Sequence, residues 1–326
     1  MHGLSLRSGL ALLAALWTAS AQRPDGTADI RADVELVTAA CSVTSAGGAP
    51  RRNLTAADFV LRDNGQQREI KNVWQESALP LTVALLADVS GSQARFVRSH
   101  REAIGQFLTQ VIGPADRAMI VEVAGQAKLI SPLTSSRDEL TRAVERIGTA
   151  EGKSGALLGP PCRNSGFPHS CGGTALWHAL YYAAKELKPV NGRKAIVVLS
   201  DGMDTGSDIS LNDAVEIAQS AGTVVYSIKY ANPMRFISIS ATIMQAASRG
   251  LERLSRETGG LTFPNPGRQT ADVFARIETD LRNLYVLGFT PPEEARDGKF
   301  HKLEVRTTQQ DDVVRARAGY WALADR

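Results

Sequence analysis

The chain has 326 residues and a formal net charge of +3, with 43% hydrophobic and 22% charged residues. These proportions are typical of a folded soluble protein, and the length suggests two domains. Acidic and basic residues are interspersed along the chain, so no basic patch in the sequence indicates binding of nucleic acid.

Residues 1–21 have the composition of a cleavable secretory signal. One base, Arg7, precedes the apolar run Leu10–Trp17, and the segment ends in Ala19-Ser20-Ala21. This order of features is typical of signal peptides, and the apolar run is shorter than the roughly 20 residues that span a bilayer. No later stretch is long and apolar enough to be transmembrane. We therefore expect cleavage near Ala21 and a mature protein that is secreted or resides in the periplasm or cell envelope.

Residues 22–79 and 285–326 are both predicted to be rich in β-structure. In the first segment, FVLRD and REIKNVW flank Asn64-Gly65, which is a strong β-hairpin signal. The second contains β-like runs at 285–291, 300–309 and 313–322. Neither end has enough strands for a stable sheet of its own. We expect the two ends to pair in one small β domain.

Residues 80–284 alternate between strand-like and helix-like segments. The runs LTVALLADV (81–89) and KAIVVLSDG (194–202) are almost continuously apolar, which is typical of strands covered on both faces. Further strands are predicted at 116–125, 127–135, 223–231 and 261–266, and helices at 92–112, 135–148, 174–187, 211–222, 243–260 and 270–284. The alternation predicts an α/β domain with a doubly wound, mainly parallel sheet and helices on both faces.

The one long irregular region is predicted at 150–173, where Gly, Pro and Ser are frequent. Loops of this length inside a compact domain are usually functional or disordered. Cys162 and Cys171 lie in this loop and could form a disulfide outside the cytosol. Cys41 lies in an apolar run and is expected to be a buried small side chain.

Polar side chains follow both of the apolar strands. LLADVSGS supplies Asp88, Ser90 and Ser92, VVLSDGMD supplies Asp201, and a third segment brings Thr174 to the start of a helix. Sites in open parallel sheets lie beyond the carboxyl ends of strands. Two carboxylates and three hydroxyls form a hard, all-oxygen set that suits Mg²⁺, Mn²⁺ or Ca²⁺. Hydroxyls are neutral donors, so such a site leaves room for a charged oxygen from an acidic partner.

This pattern resembles the metal-ion-dependent adhesion site of von Willebrand factor type A domains, which combines D-x-S-x-S with a threonine and an aspartate from two further loops. The flanking runs NLTAADFVLRDNGQQREI, LYVLGFTPP and VRARAGYWA resemble a bacterial subgroup of secreted type A proteins, and so does RLSRETGGLTF (253–263) within the domain. Members of that subgroup frequently have methionine where this chain has Gln93, a position that is not a metal ligand.

The resemblance implies a Rossmann-like type A domain over 80–284 and a non-catalytic protein that binds Mg²⁺, with Mn²⁺ and Ca²⁺ as alternatives. It implies that Ser90, Ser92 and Thr174 contact the ion. Asp88 and Asp201 would act through water or by hydrogen-bonding these ligands. A glutamate or aspartate of a partner protein would complete the coordination shell.

Other interpretations of these residues stay open. Asp88 and Asp201 could cap the helices that follow them. A serine hydrolase could use Ser90 or Ser92 with His178 and Asp201, although no G-x-S-x-G motif is present. A metal-dependent hydrolase is a related alternative. A secreted scaffold with a vestigial metal site is the third alternative.

Three residues near this pattern are expected to have ordinary roles. His178 is predicted to be a core histidine with a partner. Asp204 and Asp208 are predicted to be solvated loop acids.

Overall fold

In the computed structural model of the protein, the described residues are 36–75, 79–161, 173–230, 241–265 and 267–322. The predicted signal segment 1–21, with its cleavage point near Ala21, lies outside these ranges. So does the predicted disulfide between Cys162 and Cys171. Within the described ranges, no helix combines the length and the apolar character that crossing a membrane requires.

The described ranges contain fifteen strands and seven α-helices. The strands are β1 (Val37–Thr44), β2 (Phe59–Asp63), β3 (Gln66–Arg68), β4 (Ile70–Gln75), β5 (Leu81–Asp88), β6 (Arg117–Val123), β7 (Ala127–Thr134), β8 (Ala156–Leu157), β9 (Arg193–Ser200), β10 (Thr223–Lys229), β11 (Thr262–Phe263), β12 (Leu284–Phe289), β13 (Phe300–Thr307), β14 (Val313–Ala316) and β15 (Gly319–Trp321). The helices are α1 (Val97–Gln110), α2 (Arg137–Arg146), α3 (Ala150–Lys153), α4 (Leu176–Leu187), α5 (Leu211–Ser220), α6 (Ala241–Thr258) and α7 (Thr270–Arg282).

Seven strands form the central sheet of the α/β unit, in the order β11-β10-β9-β5-β6-β7-β8. The five strands from β11 to β6 are parallel, and β7 and β8 add antiparallel pairs at one edge. Every residue of β5 is buried, because the sheet is covered on both faces. The predicted mainly parallel α/β sheet is confirmed.

Helices pack against both faces of this sheet. On one face, α1, α2 and α7 bury apolar side chains such as Phe107, Leu140 and Phe274 against β5, β6 and β9. On the other face, α4, α5 and α6 contribute Leu180, Ala214 and Leu251. Complete burial of an aliphatic or aromatic side chain stabilises the fold by about 1.5–3 kcal/mol, so the two layers hold the sheet edge in a defined place.

The two ends of the chain pair with each other in two antiparallel sheets, in the orders β14-β1-β12-β4 and β15-β13-β2-β3. Both sheets contribute to one apolar core that includes Leu61, Tyr285, Phe289 and Leu303. Cys41 also lies in this core and is 1% exposed, and burial raises the pKa of its thiol to about 12. The predicted joint β structure is confirmed, as is the burial of Cys41.

The hairpin at Asn64-Gly65 is present, and both of these residues have positive φ, as a tight two-residue turn requires. The second strand of that hairpin is shorter than predicted. Only Gln66–Arg68 pairs with β2, while Ile70–Gln75 pairs with β12 in the other sheet. The strand is interrupted after Arg68, so the two parts of one continuous β-like segment pair in two different sheets.

The segment predicted to be irregular at 150–173 has local structure at its start. Thr149 caps α3 by accepting a hydrogen bond from the Gly152 amide at 3.2 Å. Lys128 and Leu129 then pair with the two residues of β8. The prediction of a wholly irregular loop is therefore wrong for this part, because a helix of four residues leaves too short a periodic pattern to recognise in the sequence.

Candidate metal centre

The predicted site lies where β5 and β9, two neighbouring parallel strands, end at the same edge of the sheet. Ala87 is the register partner of Leu199, so the residues after each strand leave the sheet side by side. Asp88 is 1% exposed and Asp201 is 4% exposed. Two carboxylates are thus buried next to the ends of the two central strands.

Asp88 is anchored by hydrogen bonds to both carboxylate oxygens. Oδ1 accepts from the Ser90 amide at 2.9 Å, and Oδ2 accepts from the Ser200 hydroxyl at 2.6 Å. Burial raises the pKa of Asp88 from 3.8 to about 6, and the charge of Asp201 raises it further, whereas the hydrogen bonds from Ser200 and Ser90 lower it. The carboxylate is therefore oriented, and its negative charge is incompletely compensated.

The two serines of the D-x-S-x-S motif are brought together. Their Oγ atoms lie 3.1 Å apart, with Ser90 buried and Ser92 half-exposed. Gly91 between them is exposed, and a Cβ at this position would meet no other atom within 4 Å. The turn therefore presents two hydroxyl oxygens on the same side as Asp88, with the second one closer to solvent.

Asp201 has one satisfied oxygen and one unsatisfied oxygen. Oδ1 accepts from the Met203 amide at 3.0 Å, whereas Oδ2 is buried and has no hydrogen-bond partner among the described residues. A buried carboxylate oxygen without a donor costs free energy, more than a neutral group does. The unsatisfied oxygen fits a position next to a cation.

Thr174 is held at the same edge by backbone hydrogen bonds. The Ala175 amide donates to the carbonyl of Ala124 just beyond β6, at 2.7 Å. The Thr174 carbonyl accepts from the amides of Thr205 and Gly206, each at 3.0 Å, in the loop that follows Asp201. Thr174 is therefore fixed between the end of β6 and the loop after β9, and it is 4% exposed.

Asp204 has a structural role that the sequence did not reveal. Its Oδ1 accepts hydrogen bonds from the amides of Leu176 at 2.7 Å and Trp177 at 3.1 Å, and from the Ser207 hydroxyl. It thereby caps the first turn of α4, whose own preceding residue Ala175 offers no capping side chain. The prediction that Asp204 is a solvated acid is wrong, because only the tertiary structure brings the loop after β9 onto the start of α4.

Asp208 is exposed as a residue, and it also lies against His178. Oδ1 of Asp208 is 3.1 Å from Nδ1 of His178, which is 2% exposed. The prediction of a core histidine with a partner is confirmed. Asp208 is thus a loop acid with a specific contact rather than a purely solvated one.

Two further buried polar residues at this edge were not predicted. Ser200 is 0% exposed and links Asp88 to the loop after β9, because its Oγ also accepts from the Gly202 amide at 3.0 Å. Gln93 is also 0% exposed and donates from Nε2 to the Tyr230 carbonyl at 3.1 Å. The burial of Ser200 could have been predicted, because it is a polar residue at the end of an apolar strand. Nothing in the sequence indicated that Gln93 is buried.

The oxygen atoms at this edge suit a hard divalent cation. No group of three or more His, Cys, Asp and Glu side chains that could hold a metal occurs in the described ranges. A metal here would therefore depend on hydroxyl and carboxylate oxygens together. The unsatisfied Asp201 Oδ2 and the incompletely compensated Asp88 fit such an ion, and Mg²⁺, Mn²⁺ and Ca²⁺ prefer oxygen ligands.

Residues 83–203 match the family model of the von Willebrand factor type A domain. The matched segment contains the ends of both central strands and Thr174. Such domains are typically metal-dependent binding modules, are usually non-catalytic and bind protein ligands. No curated protein sequence matches the chain.

Several solved structures match part of the chain. The conserved hypothetical protein BatB from Bacteroides thetaiotaomicron is 16% identical, with 62% of this chain and 100% of that chain covered and a TM-score of 0.46. A von Willebrand factor type A protein from Catenulispora acidiphila is 12% identical, with 84% and 75% covered and a TM-score of 0.47. Proximal thread matrix protein 1 from the mussel byssus, whose MIDAS motif is occupied by zinc, is 13% identical, with 67% and 49% covered and a TM-score of 0.45.

Proposed function

We propose that this protein is a secreted or envelope-located, non-catalytic binding module that holds a divalent cation and captures an acidic side chain of a partner protein. The cation would be held by the five residues that the sequence predicted, namely Asp88, Ser90, Ser92, Thr174 and Asp201. Mg²⁺ is the proposed ion, and Mn²⁺ and Ca²⁺ share its preference for oxygen. The observation that carries the proposal is the buried Asp201 Oδ2 without a donor, next to the buried Asp88 carboxylate.

The protein side chains have distinct tasks in this proposal. Ser90 and Ser92 offer neutral oxygens, and Ser200 and the Ser90 amide orient Asp88. Because three of the five residues are uncharged, a bound ion would keep much of its positive charge and attract a carboxylate from outside. The half-exposed Ser92 gives the side from which such a carboxylate would approach.

Metal titration of the mature protein tests the site. Calorimetry with Mg²⁺, Mn²⁺ and Ca²⁺ is expected to give one binding event, and Asp201→Asn and Ser92→Ala are each expected to weaken it by about tenfold or more. Glu216→Gln, which changes an exposed acid on α5, is the matched control and should bind as the unmodified protein does. Equal metal binding by all four proteins would contradict the assignment of the metal site.

The binding of a partner protein and the cellular location of this protein need separate measurements. Affinity capture from the envelope fraction is expected to recover a partner that is released by a chelator and is not recovered with Asp201→Asn. Capture that is indifferent to both changes would instead support a scaffold with a vestigial site. Amino-terminal sequencing of the protein isolated from its native source is expected to begin near Gln22, and a chain that retains residues 1–21 would contradict the secretory assignment.

A further inference from the structure

A cavity lies at the opposite edge of the sheet from the candidate metal centre. Its volume is about 200 Å³, and it is lined by residues at the amino-terminal ends of β9 and β10, on β1 and β12, and in the connection between β14 and β15. We call it the junction cavity, because the α/β unit and the paired β sheets both line it. A water molecule occupies about 30 Å³ of the liquid, so the cavity has room for a small organic molecule.

The charged residues that line the junction cavity are both basic. They are Lys194 and Arg317, and no aspartate or glutamate is among the lining residues. Lys194 lies beside Thr223 in the register of two parallel strands, so both side chains point to the same face of the sheet. The lining therefore carries positive charge without a lining carboxylate.

Arg317 is bound only partly by its surroundings. Its guanidinium donates to the carbonyl of Gln219 at 3.2 Å and to the carbonyl of Thr38, both of which are neutral acceptors. Its Nε is buried and has no hydrogen-bond partner among the described residues. The guanidinium also lies over the Tyr320 ring, with Cζ 6.0 Å from the ring centroid. Burial lowers the pKa of Arg317 to about 10. Arg317 as a whole is half-buried, and carbonyls alone do not neutralise the charge of its guanidinium.

Thr223 provides an independent observation at the same cavity. It is 3% exposed, and its Oγ1 is buried without a hydrogen-bond partner in the described part of the chain. A hydroxyl can donate to an anion. Two residues that line the same small cavity, Arg317 and Thr223, therefore each have one polar atom without a hydrogen-bond partner in the described part of the chain.

The rest of the wall is apolar. Val224, Leu284 and Val286 line it, and Gly192 and Gly222 leave space where side chains would otherwise extend. Small-molecule sites are commonly lined by apolar side chains with a few polar groups that orient the ligand. This wall therefore suits the hydrocarbon part of a small ligand better than it suits an inorganic anion.

We propose that the junction cavity binds a small aliphatic carboxylate. Its carboxylate accepts hydrogen bonds from Arg317 Nε and Thr223 Oγ1. Its hydrocarbon chain lies against the apolar wall of Val224, Leu284 and Val286. Because the central sheet and the paired β sheets both line this cavity, the ligand would contact both.

The test is calorimetry of the mature protein with sodium acetate, sodium butyrate and sodium phosphate, with sodium chloride at equal ionic strength as the reference. We expect saturable binding of butyrate that is tighter than binding of acetate, and no saturable binding of chloride or phosphate. Thr223→Val removes one hydroxyl at nearly constant shape, so it should fold as the unmodified protein does and bind butyrate about tenfold more weakly. Arg317→Gln is expected to abolish binding.

Arg306→Gln is the matched control, because it makes the same change of charge at an exposed position on β13. It should bind butyrate as the unmodified protein does. Equal butyrate binding by Thr223→Val and the unmodified protein would overturn the proposal, as would a preference for phosphate or chloride. A crystal structure of the butyrate-soaked protein with only water in the cavity would overturn it as well.

Discussion

Ser200 donates its hydroxyl hydrogen to Oδ2 of Asp88 across 2.6 Å, and this bond joins the ends of the two central strands of the sheet. Both residues are buried, so the bond is made where water does not compete. It also lowers the pKa of Asp88, which burial raises. The geometry of the candidate metal centre therefore depends on a residue outside the D-x-S-x-S motif.

Replacing Ser200 by alanine is expected to destabilise the metal-free protein by about 2 kcal/mol, because Asp88 Oδ2 loses its donor inside the fold. The pKa of Asp88 should rise further, and metal affinity near neutral pH should fall. Urea unfolding in the presence of a chelator measures the first effect, and calorimetry with Mg²⁺ measures the second. Ser220→Ala, at an exposed serine on α5, should change neither quantity appreciably. Unchanged stability of Ser200→Ala would contradict the importance assigned to this bond.

Asp201→Asn is expected to change the stability of the metal-free protein and the metal affinity in opposite directions. The substitution removes the charge of a buried carboxylate with an unsatisfied oxygen and relieves its repulsion with Asp88. The metal-free protein should become more stable by about 1 kcal/mol, while metal affinity falls. Thermal unfolding with a chelator and with Mg²⁺ gives both quantities. A loss of stability under both conditions would indicate a purely structural role for Asp201.

The stability of the metal-free protein should depend on pH through Asp88. Its folded pKa of about 6 lies above the ordinary value of 3.8, so the folded state binds a proton that the unfolded state has released between these values. The contribution of Asp88 is therefore fully present below pH 3.8 and is lost as the pH rises through about 6. The loss is on the order of 3 kcal/mol, since one pKa unit corresponds to about 1.4 kcal/mol.

Urea unfolding from pH 4 to pH 7 in a chelator measures this dependence. Asp88→Asn removes the titrating group and is the control, because other carboxylates titrate in the same range. The stability of the unmodified protein relative to that of Asp88→Asn should fall as the pH rises. A constant difference over the range would contradict the raised pKa.

Asp204→Ala should weaken metal binding although Asp204 is not one of the proposed metal ligands. The substitution leaves the amides of Leu176 and Trp177 without their acceptor and destabilises the first turn of α4 by about 1–2 kcal/mol. Thr174 directly precedes this turn, so its position becomes less defined and metal affinity should fall. Asp204→Asn keeps an oxygen acceptor and should retain most of the affinity. Unfolding and metal titration of both variants check this, and equal losses in the two would point to the charge of Asp204 rather than to capping.

Gly202→Ala is expected to distort the loop that carries Asp201. Gly202 has a φ of +83°, and a Cβ at this position would lie 2.5 Å from the Ala247 carbonyl oxygen on α6. The strained backbone and the close contact should together cost about 2 kcal/mol or more and reduce metal affinity. Gly65→Ala also places alanine at positive φ, but a Cβ there would meet no other atom within 4 Å, so it isolates the backbone effect. Equal losses of stability in the two variants, each relative to the unmodified protein, would show that the contact with Ala247 is unimportant.

The central strands and the polar residues at their ends could be predicted from the sequence because those signals are local. Strands buried on both faces, such as β5, are apolar along their whole length, and the polar residues that follow them mark the sheet edge. The pairing of the two chain ends was also predictable, since neither end had enough strands alone. The division of 66–75 between two sheets was not, because both strands have the same local β character.

For the candidate metal centre, the sequence by itself determined which oxygen-bearing residues lie at the ends of the central strands. Only the tertiary structure decided how these residues are supported. Ser200 became a partner of Asp88, and Asp204 a cap of α4, because parallel strand order and helix packing bring distant segments together. The junction cavity is likewise lined by Arg317 and Thr223, which belong to segments far apart in the chain. Local sequence patterns specify the strands and helices and where they end. Whether a polar side chain is buried, and which group it hydrogen-bonds, depends on which strands and helices become neighbours in the fold.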